Sequence, residues 1–306
     1  MRLNEFSSNK ASQLLIQKAA MASVAVASIL ITIKFLAWWY TGSISLKATL
    51  IDSLLDALAS LMNLVAVHQS HQPANKQFRF GYGKVEAIAA LGQSVFIAGS
   101  ACWLTFEAIE RFFNPAPIQE AVMGIFVMIF AMGITVVLLA YQYRVVKKTN
   151  SAAIRADALH YRSDFLINAG VIFSLLVAQF YGATWVDPLS GALIGLYIFY
   201  TAWKLTRDGF YILMDHELPE KDRQQIIALA LSHPQVKGLH ELRTRTSGLK
   251  RFIQLHLELE GSLTLSQAHI IADEVEQIIV SHFTNAEVLI HQDPEGLRER
   301  NQLKSL

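Results

Sequence analysis

Two short stretches set the terms on which this chain can fold: Leu50-Ile51-Asp52-Ser53-Leu54-Leu55-Asp56 and Ala158-Leu159-His160-Tyr161-Arg162-Ser163-Asp164. Each places two metal-ligand side chains four residues apart inside an apolar run that approaches the span of a bilayer. On a helix that spacing brings both side chains to one face, one turn apart. A carboxylate at the centre of a bilayer costs about 2.5–3.5 kcal/mol on insertion scales. Three carboxylates and an imidazole at one depth are best accounted for by a cation that neutralises them.

The surrounding composition supports a membrane setting. Of 306 residues, 53% are hydrophobic and 17% charged, against about 25% charged in an ordinary soluble protein. The net charge is +1, and the basic residues are divided among short loops instead of forming a stripe, which argues against nucleic acid. The one cysteine, Cys102, lies in an apolar run. Disulfide frameworks and thiolate zinc clusters within the chain are therefore excluded, and Cys102 reads as a small buried hydrophobe.

Six segments of about 20 apolar residues follow a polar, modestly basic start. The first, from Ala19 to Tyr40, ends in an aromatic belt of Trp38, Trp39 and Tyr40, with Lys34 placed to snorkel outward. It is too long, and lacks a small-residue cleavage site, for a signal peptide. The others run from Ser43 to His68, Tyr82 to the Asn114–Pro117 turn, Ile118 to Tyr143, Ala152 to Tyr181 and Trp185 to Leu205. Lys76, Arg79, Lys84, Arg144, Lys147 and Lys148 occupy the loops on one side, and those on the other are short and nearly uncharged. The positive-inside rule puts the basic loops and both termini in the cytoplasm. The second and fifth segments then run in opposite directions, and Asp52, Asp56, His160 and Asp164 come to similar depth near mid-membrane, where transporter sites lie.

Three carboxylates and one imidazole can supply four-coordinate zinc with O and N donors. Without thiolates the set also admits Cd²⁺, Fe²⁺ or Mn²⁺, whereas the imidazole disfavours Mg²⁺ and Ca²⁺. Protons compete for the same ligands, so exchange of metal for protons needs no further machinery. A membrane metalloenzyme is the weaker reading: there is no H-E-x-x-H, and four protein ligands leave no open position for water. A membrane-anchored metal sensor that transports nothing would give the intramembrane ligands no task.

After Leu205 the chain becomes amphipathic. A helix opens at Pro219-Glu220-Lys221-Asp222 and stops at His233-Pro234. Val236–Arg245 and Arg251–Glu260 read as strands, Ser266–Phe283 as a helix and Glu287–His291 as a last strand. This α-β-β-α-β order predicts a small α+β sandwich with helices on one sheet face. Seven of the ten histidines fall after residue 210. His240, His256, His269 and His291, with Asp293, make a candidate one- or two-ion zinc site. His216, His233 and His282 lack a partner pattern and read as surface residues.

Taken together, these residues resemble the cation diffusion facilitator family, particularly its bacterial zinc and ferrous-iron efflux members. The resemblance takes in the paired motifs, the Gly81-Tyr82-Gly83-Lys84-Val85-Glu86 segment and the α+β tail. It implies an all-α membrane domain of six transmembrane helices (residues 18–208) after a cytoplasmic segment (1–17). A cytoplasmic α+β, metallochaperone-like domain for metal binding and dimerisation (209–294) and a disordered tail (295–306) complete the chain. It further implies a homodimer in a bacterial inner membrane that exports a divalent ion, Zn²⁺ first and Cd²⁺ or Fe²⁺ next, in exchange for protons by alternating access. Asp52, Asp56, His160 and Asp164 match the family's transport site in its zinc-type form. His240, His256, His269, His291 and Asp293 match its binuclear cytoplasmic site, with Asp293 as the bridge. Lys84 and Asp215 look like a charged pair that locks protomers together. One departure stands out: where relatives carry a third metal site, this chain has Asn75, Phe78 and Tyr82, and the loop is expected to bind no metal tightly.

Overall fold

In the computed structural model, which describes residues 2–42, 44–114, 122–183, 185–283 and 285–296, the apolar part of the chain forms six helices. They are α1 (Arg2–Thr41), α2 (Ile44–Ser70), α3 (Val85–Phe113), α4 (Val122–Thr149), α5 (Ala152–Tyr181) and α6 (Val186–Leu213). Five contain stretches long and apolar enough to cross a membrane: Lys10–Tyr40, Thr49–Ser70, Val85–Phe113, Ile125–Thr149 and Ala152–Ala178. Tyr197, Tyr200, Trp203 and Lys204 dilute the apolarity of α6. The Pro115–Pro117 turn, Ile118 and the tail from residue 297 lie outside the described residues.

Local chemistry sets the ends of α5, the helix on which the site depends. Ser151 caps it by accepting the Ile154 N–H, and Gly182, at φ 66°, closes it with its own N–H on the Ala178 carbonyl. A left-handed closing residue is where glycine avoids the Cβ penalty.

Between apolar helices in lipid there is no hydrophobic drive to associate, so polar contacts matter more. The buried carboxylate of Asp157 on α5 accepts from Ser23 Oγ of α1 at 2.5 Å and from Gln142 Nε2 of α4 at 2.7 Å. Tyr161 Oη donates to the Ser23 carbonyl at 3.1 Å and lies 3.0 Å from Ser60 Oγ of α2. Ser94 and Thr206 join α3 to α6, and Ser174 and Ser190 join α5 to α6. The outward faces are apolar, with Leu54, Leu58, Leu61, Met62 and Val65 of α2 all exposed, as a lipid-facing surface requires. Cys102, expected in the core, stands exposed on the outer face of α3; an apolar run buried by lipid needs no protein neighbour at every position.

Among the described residues, the chain from Tyr211 on falls in a compact unit of its own together with residues 2–9. It contains α7 (Glu220–Leu231), β1 (Gly238–Ser247), β2 (Lys250–Leu259), α8 (Leu265–His282) and β3 (Ala286–Pro294). β1 and β2 pair antiparallel through a turn at Gly248, whose φ is 61°, and β3 joins β2 in parallel after α8. A capping box of Thr264 and Gln267 starts α8. Strand alternation decides the faces: Ile253, Leu255, Leu257 and Leu259 are buried with Ile226, Ala230, Ile271, Val275 and Ile279 of the helices, leaving Gln254, His256 and Glu258 on the other face. The last strand runs three residues beyond its expected end and so includes Gln292 and Asp293.

The Asp157 network predicts a non-additive pair. Gln142→Met strips a buried carboxylate of a donor and should cost about 1–3 kcal/mol. Gln142→Met with Asp157→Leu should cost less than that single change, because Ser23 Oγ keeps the Ala19 carbonyl as its acceptor. Thermal unfolding in detergent checks the order.

Candidate metal centre

Helix α2 carries Asp52 and Asp56 one turn apart, and α5 carries His160 and Asp164 in the same relation. The two faces meet. His160 Nε2 lies 3.0 Å from Asp56 Oδ1 and 3.7 Å from Asp164 Oδ2. One ligand atom from each of Asp56, His160 and Asp164 falls within 4.8 Å of the others. In a tetrahedral zinc site with bonds of 2.0–2.2 Å, neighbouring donors stand about 3.4 Å apart, and the two separations straddle that value. Asp52 is outside this trio but lines the same cavity, about 300 Å³ in volume, with Asp56, His160, Asp164, Ser163 and Asn168.

Lys34 is where the expected arrangement fails. It does not snorkel outward: its Nζ donates to Ser53 Oγ at 2.6 Å and to the Thr49 carbonyl at 3.2 Å, and its side chain lines the cavity. Hydrogen-bond acceptors and carboxylates on α2 give the ammonium inside the protein what an outward path would have sought in water. A lone lysine within an apolar run was a visible signal, but its direction was not.

The second cluster is a product of strand register. His240 on β1 is the cross-strand partner of His256 on β2, and His256 is the parallel neighbour of His291 on β3. Three imidazoles therefore stand in a row across the sheet, with ring centroids 5.1 and 4.6 Å apart. Asp293 reaches all three: Oδ2 is 2.8 Å from His256 Nδ1 and 3.4 Å from His240 Nε2, and Oδ1 is 3.1 Å from His291 Nε2. Its two oxygens thus face different imidazoles, the arrangement a bridging carboxylate needs. A bulge after His240, with Glu241 at φ 48°, resets the register of β1 beyond this row. Glu258, two residues from His256 and on the same face of β2, meets His240 Nδ1 at 3.1 Å; that spacing could have marked it beforehand.

His269 does not join the cluster. It is exposed on α8, 3.7 Å from Asp273. His233 is not a surface residue either: it is buried and 2.7 Å from Glu274 Oε2, a pairing across 41 residues that no local pattern announces. His216 and His282 are exposed. Asp215 lies 3.2 Å from Arg245.

The loop between α2 and α3 is tied by its own side chains. Asn75 Oδ1 accepts the N–H groups of Gln77 and Phe78, Asn75 Nδ2 donates to Tyr82 Oη at 2.7 Å, and the Phe78 and Tyr82 rings pack 4.8 Å apart. Next to it, buried Glu86 accepts from Ser151 Oγ at 2.7 Å and Ser70 Oγ at 3.2 Å, which fastens the ends of α2, α3 and α5. Burial, aided by the nearby His68, holds His71 below the ordinary imidazole range, so it stands neutral beside Glu86 at pH 7.

Comparison with known proteins bears on the whole chain. The family profile described as the cation efflux transmembrane domain matches residues 20–214, and that of the cation efflux protein cytoplasmic domain matches residues 218–295. The cation-efflux pump FieF of Klebsiella pneumoniae (strain 342) is 47% identical over 283 residues, which cover 92% of this chain and 94% of that one. FieF of Escherichia coli (strain K12 / DH10B) is 46% identical over 292 residues, covering 95% and 97% respectively. Among solved structures, the metal-bound C-terminal domain of the CzcD transporter from Thermotoga maritima is 28% identical, with a TM-score of 0.25, covering 26% of this chain and 93% of that domain. With a cation-efflux membrane domain and its cytoplasmic partner domain together accounting for nearly all its length, this chain is a multi-pass membrane protein of the cation diffusion facilitator family, a transporter and not an enzyme.

Proposed function

We propose that this protein exports divalent metal cations from the bacterial cytoplasm across the inner membrane in exchange for protons. The observation that carries the reading is the meeting of Asp56, His160 and Asp164 from two apolar helices, at separations that suit one small dication. Asp52 is the fourth ligand, brought in when a metal closes the cavity. The likeness to the cation-efflux pumps supports export. The nitrogen of His160 favours Zn²⁺, with Cd²⁺ or Fe²⁺ as lesser cargoes.

The same groups account for coupling. A carboxylate or imidazole that holds a proton cannot hold the metal, so the cavity carries one or the other. Filling it neutralises the carboxylates and lets the helices pack differently from the emptied state. Alternating access follows as a shift between two packings biased by the cargo. Helix α6 is the sixth span, its tyrosines and Trp203 placed for interfacial contact, and both termini lie in the cytoplasm.

The cytoplasmic residues His240, His256, His291 and Asp293 hold structural or regulatory zinc in a domain that pairs two protomers. His269, exposed on α8 beside Asp273, takes part through the second protomer. Lys84 and Asp215 remain the proposed charged interlock of the dimer, beside the Arg245 contact of Asp215. The Asn75–Tyr82 staple takes over the loop-ordering task a third metal would perform.

In reconstituted vesicles with an imposed pH gradient, Asp56→Ala should abolish Zn²⁺ flux, whereas His291→Ala should leave most of it and weaken the dimer. Equal loss in both would contradict the division of roles. Calorimetric titration should find that Asp293→Ala lowers affinity at the cytoplasmic site by more than any single histidine substitution, at least about tenfold more. Tyr82→Phe should leave the number of bound metals unchanged while costing about 0.5–1.5 kcal/mol of stability; a missing metal equivalent would show that the loop is a site after all.

A further inference from the structure

Lys34 has no task in the exchange described so far, yet it occupies the same cavity as the proposed ligands. It is held in place: Ser53, the residue between Asp52 and the turn leading to Asp56, accepts from its Nζ at 2.6 Å, and the Thr49 carbonyl accepts at 3.2 Å. Ser53 is itself buried. Asp52, Asp56 and Asp164 line that cavity with Lys34. A lysine carried at this depth is costly unless it is paired, and an equally long side chain turned outward would have avoided the cavity altogether.

Charge balance gives the position a meaning. With a dication bound and Asp52, Asp56 and Asp164 ionised, the cavity without Lys34 would keep one uncompensated negative charge. With the Lys34 ammonium present, three carboxylates, one lysine and one dication sum to zero. The same ammonium repels the metal, and in a low-dielectric site that repulsion is strong. A transport site must bind well enough to load and weakly enough to unload, so a fixed positive charge near the ligands speeds release at the expense of affinity.

We propose that Lys34 is a resident counter-ion of the transport cavity, which neutralises the excess carboxylate charge and weakens metal binding so that turnover is fast. It is a positioning and affinity-setting residue and does not ligate the metal. The proposal rests on the reading of this cavity as the transport site.

The test uses full-length protein in four forms beside wild type: Lys34→Met and Lys34→Gln, which remove the charge, Lys34→Arg, which keeps it, and Asp56→Ala, which removes a ligand. Zn²⁺ affinity is measured by calorimetry, with the Asp56→Ala isotherm subtracted to isolate the cavity, and initial transport rates are measured in proteoliposomes. Lys34→Met should bind Zn²⁺ at least about tenfold more tightly than wild type, with KM and maximal rate both reduced; Lys34→Arg should stay close to wild type in both. A merely structural lysine would weaken binding when lost. Unchanged or weaker affinity in Lys34→Met, with Asp56→Ala losing the cavity equivalent, would overturn the role of Lys34 while leaving the site intact. An Asp56→Ala isotherm identical to wild type would instead remove the transport-site reading itself. Should Lys34→Met and Lys34→Gln both fail to fold while Lys34→Arg folds, the lysine is structural and the proposal fails.

Discussion

An ionised side chain surrounded by hydrocarbon has to be matched by an opposite charge, a set of hydrogen bonds or a bound ion, and the membrane unit is arranged around that requirement. Helix α5 shows it most fully. Asp157, His160, Tyr161 and Asp164 follow one another at helical spacing along a single stripe. Asp157 Oδ2 accepts from Ser23 and Gln142, Tyr161 bonds the Ser23 carbonyl and Ser60, and His160 lies against Asp56. Part of the stripe is therefore consumed in holding helices together, and part is left facing a cavity.

That division separates anchor from site. The Asp157 contacts fasten α5 to α1 and α4 with groups that have direct protein partners, whereas Asp56, His160 and Asp164 are close enough to share an ion but are not saturated by one another. Helix α1 serves both ends of this scheme: Ser23 belongs to the anchor and Lys34 to the cavity. The cavity is thus lined by helices that are already cross-braced.

The cytoplasmic unit reaches a metal-binding arrangement by another route. There the backbone ladder does the positioning. Antiparallel pairing sets His240 beside His256, and parallel pairing sets His256 beside His291, so a one-residue slip in either ladder would turn one imidazole to the opposite face. The apolar residues Ile253, Leu255, Leu257 and Leu259 on the reverse face resist that slip, since it would expose them. The core thus protects the site through register.

Much of this was legible in the chain itself. The four-residue spacing of Asp52 with Asp56 and of His160 with Asp164, embedded in apolar runs, marked which faces of α2 and α5 turn toward one cavity, because helix periodicity is a local rule; that Asp52 stands exposed while His160 is buried was not legible there. Alternation along Arg251–Glu260 likewise marked the face that bears His256. Tertiary structure alone decided the rest. Lys34 is long enough to point outward or inward, and only the packing of α1 against α2 put Ser53 and the Thr49 carbonyl within its reach. His233 found Glu274, and Asp157 found Ser23, across separations that no local pattern encodes. Periodicity determines which side of an element is polar; which neighbour that side meets depends on how whole elements pack, and long flexible side chains follow whichever partner the packing supplies.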